Sequence, residues 1–177
     1  MTVGKTHCGK TTFAHILENK LSNAVVVDQD NHALFLNKHY KKLQPKHGPN
    51  TLKHALSLTI VNHAMEHTDF HLIISNSNSS RQGRMDLLNY FHKNGFSSIL
   101  VNFNISDDVL VERINQTTRS TSIFRKATSF QEVLKRQQND SLKNDITAPG
   151  KEEADYLFTI QDDKDVASVT DKIVQII

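Results

Sequence analysis

Residues 3–14 read VGKTHCGKTTFA, and this stretch decides the fold. Gly4, Gly9, Lys10 and Thr11 satisfy the pattern G-x-x-x-x-G-K-[ST]. The spacing has a physical purpose. Glycines let the chain wrap so that successive backbone N–H groups point inward at a phosphate. A lysine at the sixth position after the first glycine reaches the β- and γ-phosphates, and the next hydroxyl can ligate Mg²⁺. The helix that begins there aims its positive end at the anion. Gly4, Lys5, Thr6, His7, Cys8, Gly9, Lys10, Thr11 and Thr12 are therefore the expected nucleotide-binding residues, with Thr11 on the metal. Cys8 is expected to fill space inside the loop, with a reactive thiol as the alternative.

Outward from this loop, short β-branched runs alternate with helical stretches. Residues 23–28 (NAVVVD), 70–75 (FHLIIS), 97–103 (SSILVNF) and 156–160 (YLFTI) are apolar on both faces, as buried parallel strands are. Helical patterns cover residues 11–20, 51–67, 82–93 and 163–176, and Ser106-Asp107-Asp108 opens another that carries Leu110 and Ile114. Leu52, Leu56, Ile60 and Ala64 form the expected stripe of the second. The alternation predicts βαβ units and a parallel sheet covered by helices on both faces. Only Met1, Thr2 and Val3 precede the loop, so the first strand is either very short or begins upstream of this sequence.

The second strand ends in VVVDQDN, which puts Asp28 and Asp30 at a strand's carboxyl end, where ligands bind in open α/β sheets. Phosphoryl transfer to a hydroxyl uses one carboxylate to accept a proton and another to order the waters of Mg²⁺. The same residue types are also good N-caps for a helix starting near His32. The third strand ends in Ser75-Asn76-Ser77-Asn78, without the acid that water-activating ATPases place there. Asn76 and Asn78 are candidates to bind acceptor hydroxyls, and Arg81 or Arg84 to reach a substrate anion. A polar loop capping the next helix is the plainer alternative. The loop's middle, KTHC, lacks the glycine common among kinases, which makes that corner less permissive.

These residues together resemble a small P-loop kinase of the AAA-domain type, a group that includes polynucleotide-kinase-like and zeta-toxin-like relatives. The D-x-D-N after the second strand is similar to the adenylylsulfate kinase pattern. The resemblance continues through residues 111–137 (VERINQTTRSTSIFRKATSFQEVLKRQ) and into residues 148–160, APGKEEADYLFTI. It implies a three-layer P-loop NTPase fold over residues 1–177, with about five parallel strands and a short arginine-bearing helical lid near residues 117–140. It implies that Lys10, Thr11 and the loop amides hold ATP and that Asp30 takes the acceptor's proton. Asp28 then stands near the magnesium waters, and Arg119 and Arg125 close over the nucleotide. A fixed positive fork neutralises charge on the transferring oxygens. A solvated basic face with Lys126, Lys135 and Arg136 is the alternative for these arginines. Arg113 is expected to pair with Glu112 or Asp108 on its own helix.

Composition bounds the function. The net charge is +2, which argues against a dedicated electrostatic nucleic-acid binder. The one cysteine permits no intrachain disulfide, and no run approaches membrane-spanning length, so a cytoplasmic protein is expected. His63, His67 and His71 lack the partners a zinc site needs. The basic run at residues 37–48 (NKHYKKLQPKHG) suits a solvated face or a phosphate contact. The sequence therefore points to a phosphotransferase that uses ATP and Mg²⁺ on a hydroxyl-bearing acceptor. A small molecule is favoured over a polynucleotide 5′ end, because no aromatic groove for stacked bases is evident. The alternatives are a nucleotide-binding switch with slow hydrolysis, or a catalytically silent relative.

Overall fold

The computed structural model describes residues 1–142 and 145–177. Its elements follow the order β1 (Thr2–Val3), α1 (Lys10–Lys20), β2 (Ala24–Asp28), α2 (Gln29–His39), α3 (Thr51–His67), β3 (His71–Ser75) and α4 (Arg81–Lys93). Then come β4 (Ile99–Phe103), α5 (Asp107–Asn115), α6 (Phe130–Asp140), β5 (Tyr156–Ile160) and α7 (Asp165–Ile176). All strand pairings within the sheet are parallel, as the βαβ alternation predicts. Among the described residues no helix is long and apolar enough to cross a membrane.

The five strands form two ladders, β2–β3 and β1–β4–β5. β1 lies beside β3 without a continuous ladder. Its two residues pair with Val101 and Asn102 of β4. Toward β3 they offer the Thr2 hydroxyl to the Ile74 carbonyl at 3.4 Å, and Gly4 N–H donates to Ser77 O at 3.0 Å. The expected single five-stranded ladder is thus interrupted at β1, because two residues cannot sustain pairing on both sides. The strand order is 2-3-1-4-5.

Neighbouring strand residues serve opposite faces. Ile73, Val101, Phe103 and Ile160 pack with Phe13 and Leu17 of α1, Ile114 of α5, Leu134 of α6 and Ile173 of α7. Val27 and Ile74 pack with Val61 of α3 and Phe91 of α4, while Leu100 packs with Val3 and Leu88. This two-sided burial is why the strands read as unbroken apolar runs. On α3 the buried residues are Ser57, Val61 and Ala64, so the expected stripe is rotated and Leu52, Leu56 and Ile60 are only half-buried.

Arg84 was a candidate for a substrate anion, and the fold corrects that. It is 1% exposed. Its Nε and Nη2 donate to Glu153 at 2.7 and 2.9 Å, and Nη1 donates to the carbonyls of Ser79 and Asn78. A guanidinium buried this deeply is stable only when each donor has a partner. Arg81 stands 3.8 Å from Glu152 and Glu153 on the same side. Asn78 has φ 43 and donates to Thr2 O at 2.8 Å, so it fastens the strand-3 loop to β1.

Candidate active site

The carboxyl ends of β1, β2 and β3 open into a cleft of about 960 Å³. Thr6–Phe13, Asp28, Asp30, Ser75–Ser77, Arg119 and Arg125 all line it. The phosphate loop and the strand-2 carboxylates, far apart in sequence terms, therefore share one cavity.

The loop's shape follows from its residues. Gly4 has φ 152, and a Cβ there would lie 2.7 Å from Cys8 Sγ and 2.9 Å from Phe103 Cβ. The first glycine is thus demanded by close approach as well as by backbone freedom. Cys8 is 2% exposed and serves as that packing surface, the space-filling role. Gly9 caps α1 with φ 102, and no side chain caps the helix's first N–H groups. By contrast α2, α3, α4 and α6 have side-chain caps, from Asp28, Asn50, Ser80 and Ser129, while α5 and α7 lack one but carry aspartate in the first turn. An α1 N-terminus left without a capping side chain and without acid in its first turn fits an anion.

His7 stands where the missing glycine would be and takes the left-handed φ 59 itself. Its ring meets Phe130 edge-on at 4.5 Å, and its buried Nε2 has no partner among the described residues. Burial, with Arg119, Lys10 and Arg113 nearby, lowers the pKa of His7 and keeps it neutral near pH 7. The outer side of the loop is fastened to the rest of the protein. Lys5 Nζ binds Asp107 at 2.6 Å, and Thr6 N–H donates to Gln137 Oε1 at 2.8 Å. The Lys5 bond, ahead of burial, holds the Asp107 carboxyl below its usual range. Lys10 folds across the loop and donates to Lys5 O at 2.5 Å. Thus the Lys5 side chain points to α5, and the Thr6 amide is engaged by α6.

Asp28 and Asp30 differ. Asp28 is 4% exposed and N-caps α2, its Oδ1 accepting from Asp30 N–H at 2.8 Å. Its Oδ2 accepts from the Thr11 hydroxyl at 3.2 Å. So the capping reading and the metal reading fall on one residue, and the helix starts at Gln29, earlier than expected. The Thr11 hydroxyl and the Asp28 carboxylate are the pair that fits Mg²⁺. Asp30 sits in the first turn of α2, half-exposed. Arg119 Nη2 donates to its Oδ2 at 2.7 Å, and its Oδ1 has no hydrogen bond among the described residues.

The two arginines of residues 117–129 have different partners. Arg119 holds Asp30 and lies 5.5 Å above the Phe130 ring. Arg125 donates to the carbonyls of Pro45 at 2.5 Å and Gly48 at 2.6 Å. Asn37 adds bonds to Ser122 O and Phe124 O, so this segment is stitched to α2 and to the following loop. The rest of the basic run is solvated, with Lys38, Lys41, Lys42 and Lys46 exposed. Arg113 does not pair on its own helix. It reaches Asp163 at 2.8 and 2.9 Å and His7 O at 3.2 Å, because the β5–α7 loop comes alongside. Asn76 donates to Gln29 Oε1 at 3.0 Å. His63 and His67 are exposed on α3, 4.6 Å apart between ring centres.

Nothing in the sequence marks Lys53 or Gln137 as site residues. Both line the cleft. Lys53 follows the Asn50 cap in the first turn of α3, and no motif marks it.

Comparison with known proteins now gives the class. The AAA domain family model matches residues 1–141, and the chain belongs to that family. Its fold is that of the small P-loop kinases. Kti12 of Chaetomium thermophilum, solved with ADP-AlF3, is similar at TM-score 0.64 and 14% identity, over 98% of this chain and 96% of that one. The Mycobacterium tuberculosis APS kinase CysC, solved with AMPPNP and APS, is similar at TM-score 0.57 and 14% identity, over 98% and 93%. Shikimate kinase of Bacteroides thetaiotaomicron is similar at TM-score 0.59 and 17% identity, over 99% and 95%. No curated protein sequence matches the chain.

Proposed function

We propose that this protein is an ATP-dependent phosphotransferase that moves the γ-phosphoryl group to a hydroxyl of a small molecule. One observation carries the reading: Asp30, with Oδ1 open, lines the same cleft as Lys10 and the uncapped start of α1. The fold shared with kinases is consistent with it.

In this reading the loop amides and Lys10 hold the ATP phosphates. Thr11 and Asp28 would hold Mg²⁺, which would neutralise phosphate charge there. The acceptor hydroxyl donates its hydrogen bond to Asp30 Oδ1. Its oxygen bonds to the γ-phosphorus while the bond from that phosphorus to the β–γ bridging oxygen breaks, the electron pair leaving with ADP. Asp30 keeps the proton, and Arg119 beside it supplies positive charge where the transferring oxygens gather negative charge. The hydroxyl and amide groups at the end of β3, in place of a carboxylate, suit transfer to an alcohol better than activation of water.

That same missing acid also supports a second reading, a nucleotide-dependent switch. The experiment uses γ-labelled ATP with magnesium and two pools, a hydroxyl-bearing metabolite mixture and 5′-hydroxyl oligonucleotides. Label is expected in the metabolite pool and is expected to fall about 100-fold or more in Asp30→Asn. ATP bound by both forms with label in neither pool would favour the switch.

A further inference from the structure

Among the described residues, Lys10, Lys53, Arg125, Lys126 and Arg136 line the cleft without an ion pair. Lys10 belongs to the phosphate loop and Lys126 and Arg136 are exposed, which leaves Lys53 and Arg125 as half-buried cations with no carboxylate bonded to them. Lys53 projects from the first turn of α3, is half-buried, and its Nζ has no hydrogen bond or ion pair among the described residues. Arg125 spends its donors on two neutral carbonyls, so its charge is not cancelled. The nearby carboxylates make their hydrogen bonds to other groups, and neither bonds Lys53. Asp28 accepts from Thr11 and from the Asp30 amide, and Asp30 accepts from Arg119. A half-buried ammonium without a partner is costly, and an incoming anion repays that cost.

We propose that Lys53 and Arg125 form a subsite for a negatively charged group on the acceptor, so that the acceptor is a small alcohol bearing a carboxylate or a phosphate. This rests on the phosphotransferase reading for its meaning, though the subsite itself is a binding claim. Burial pulls the Lys53 ammonium below its usual pKa, Asp30 and Asp28 oppose that, and Arg125 adds to it. Each sign is what a cation placed between carboxylates and a second cation experiences. Lys53 and Asp30 line the same cleft, so one small molecule can set its anion against Lys53 and offer a hydroxyl to Asp30. Size follows from the same bonds. Arg125 bridges residues 117–129 to the loop at Pro45 and Gly48, and a polymer would have to break that bridge.

The test is binding first and transfer second. The parent, Lys53→Met and Lys93→Met are saturated with ADP·Mg²⁺ and titrated by calorimetry with glycerol, malate and glycerol 3-phosphate. Lys93 is exposed at the end of α4 and does not line the cleft. At least one anionic probe is expected to bind the parent and Lys93→Met, with glycerol silent. Lys53→Met is expected to weaken that affinity about 10- to 100-fold, the effect of one charge-assisted bond. Its melting temperature should not fall, since the ammonium it loses has no bond to lose. Absence of Lys53-dependent binding by both anionic probes overturns the subsite. The transfer assay is then run with neutral alcohols, hydroxycarboxylates, alcohol phosphomonoesters and 5′-hydroxyl oligonucleotides in separate tubes. Label in an anionic small-molecule tube supports the proposal, and label confined to the neutral or oligonucleotide tube overturns it. Lys53-dependent binding with no label in any tube would uphold the subsite and sink the kinase reading instead.

Discussion

Two arginine–carboxylate pairs in this protein have the same shortest distance and opposite characters. Arg84–Glu153 and Arg119–Asp30 each close to 2.7 Å. In the first, the side chains are 0% and 1% exposed, and in the second 35% and 42%. Arg84 binds Glu153 through two nitrogens and two carbonyls through the third, and Glu153 also accepts from Gly150 N–H. Arg119 makes one contact to one oxygen and leaves the other open. Water can replace the second pair and cannot reach the first. The buried pair locks the strand-3 loop to the approach of β5. The open pair is free to exchange partners in the cleft.

Substitutions should separate the two. Arg84→Met strands a buried carboxylate and is expected to cost about 3–5 kcal/mol in urea unfolding. Arg119→Met should cost no more than about 1 kcal/mol, because its pair is solvent-screened, yet lower label transfer about 100-fold or more. An Arg119→Met as unstable as Arg84→Met would erase the distinction.

Gly4→Ala comes next in size. Its Cβ meets Cys8 and Phe103 in a backbone conformation that side chains avoid, and a loss of about 2–3 kcal/mol is expected, with weakened ATP binding. Wild-type stability would show that the loop opens at low cost and that Cys8 is not held as described.

Acid sharpens the comparison further. Burial alone would raise the Glu153 pKa, but the bonds from Arg84 and Gly150 and the charge of Arg84 more than offset it, so it is lowered. A carboxylate depressed in the folded state contributes stability that is present above its unfolded pKa, near 4.3. That stability is lost as pH falls through the folded value. Parent stability should therefore decline below about pH 4, and Glu153→Gln should start lower and show a shallower slope. An unchanged slope would assign the acid sensitivity to other carboxylates such as Asp107 and Asp155, which are also lowered.

The smallest effect is expected at His7→Gly. Glycine relieves the left-handed corner by about 1 kcal/mol but forfeits the edge-on contact with Phe130, of similar size. Stability should move by less than about 1 kcal/mol either way. A large loss would mean that the contact of the loop with α6 is a main support of the site.

Much of the fold was legible because its signals are local. Glycine spacing, β-branched runs and helix stripes act over a few residues, so β2 to β5 and their helices fall close to the expected places. Asp28 and Asp30 were readable for the same reason, since a strand's carboxyl end marks itself. The charged side chains were not. Arg84 and Arg119 carry the same group on similarly polar stretches, and only burial separates them. Arg113 was expected to pair within its helix and instead meets Asp163, fifty residues away.

The sequence alone determined that a phosphate loop opens a parallel α/β chain, because that pattern is written in backbone freedom and hydrophobic period. The tertiary structure decided which cations are spent and which remain available. Glu153 reaches Arg84 across 69 residues and neutralises it, whereas Lys53 has no bonded carboxylate among the described residues of the cleft. Desolvation depends on what surrounds a charge in three dimensions, and no local pattern carries that information.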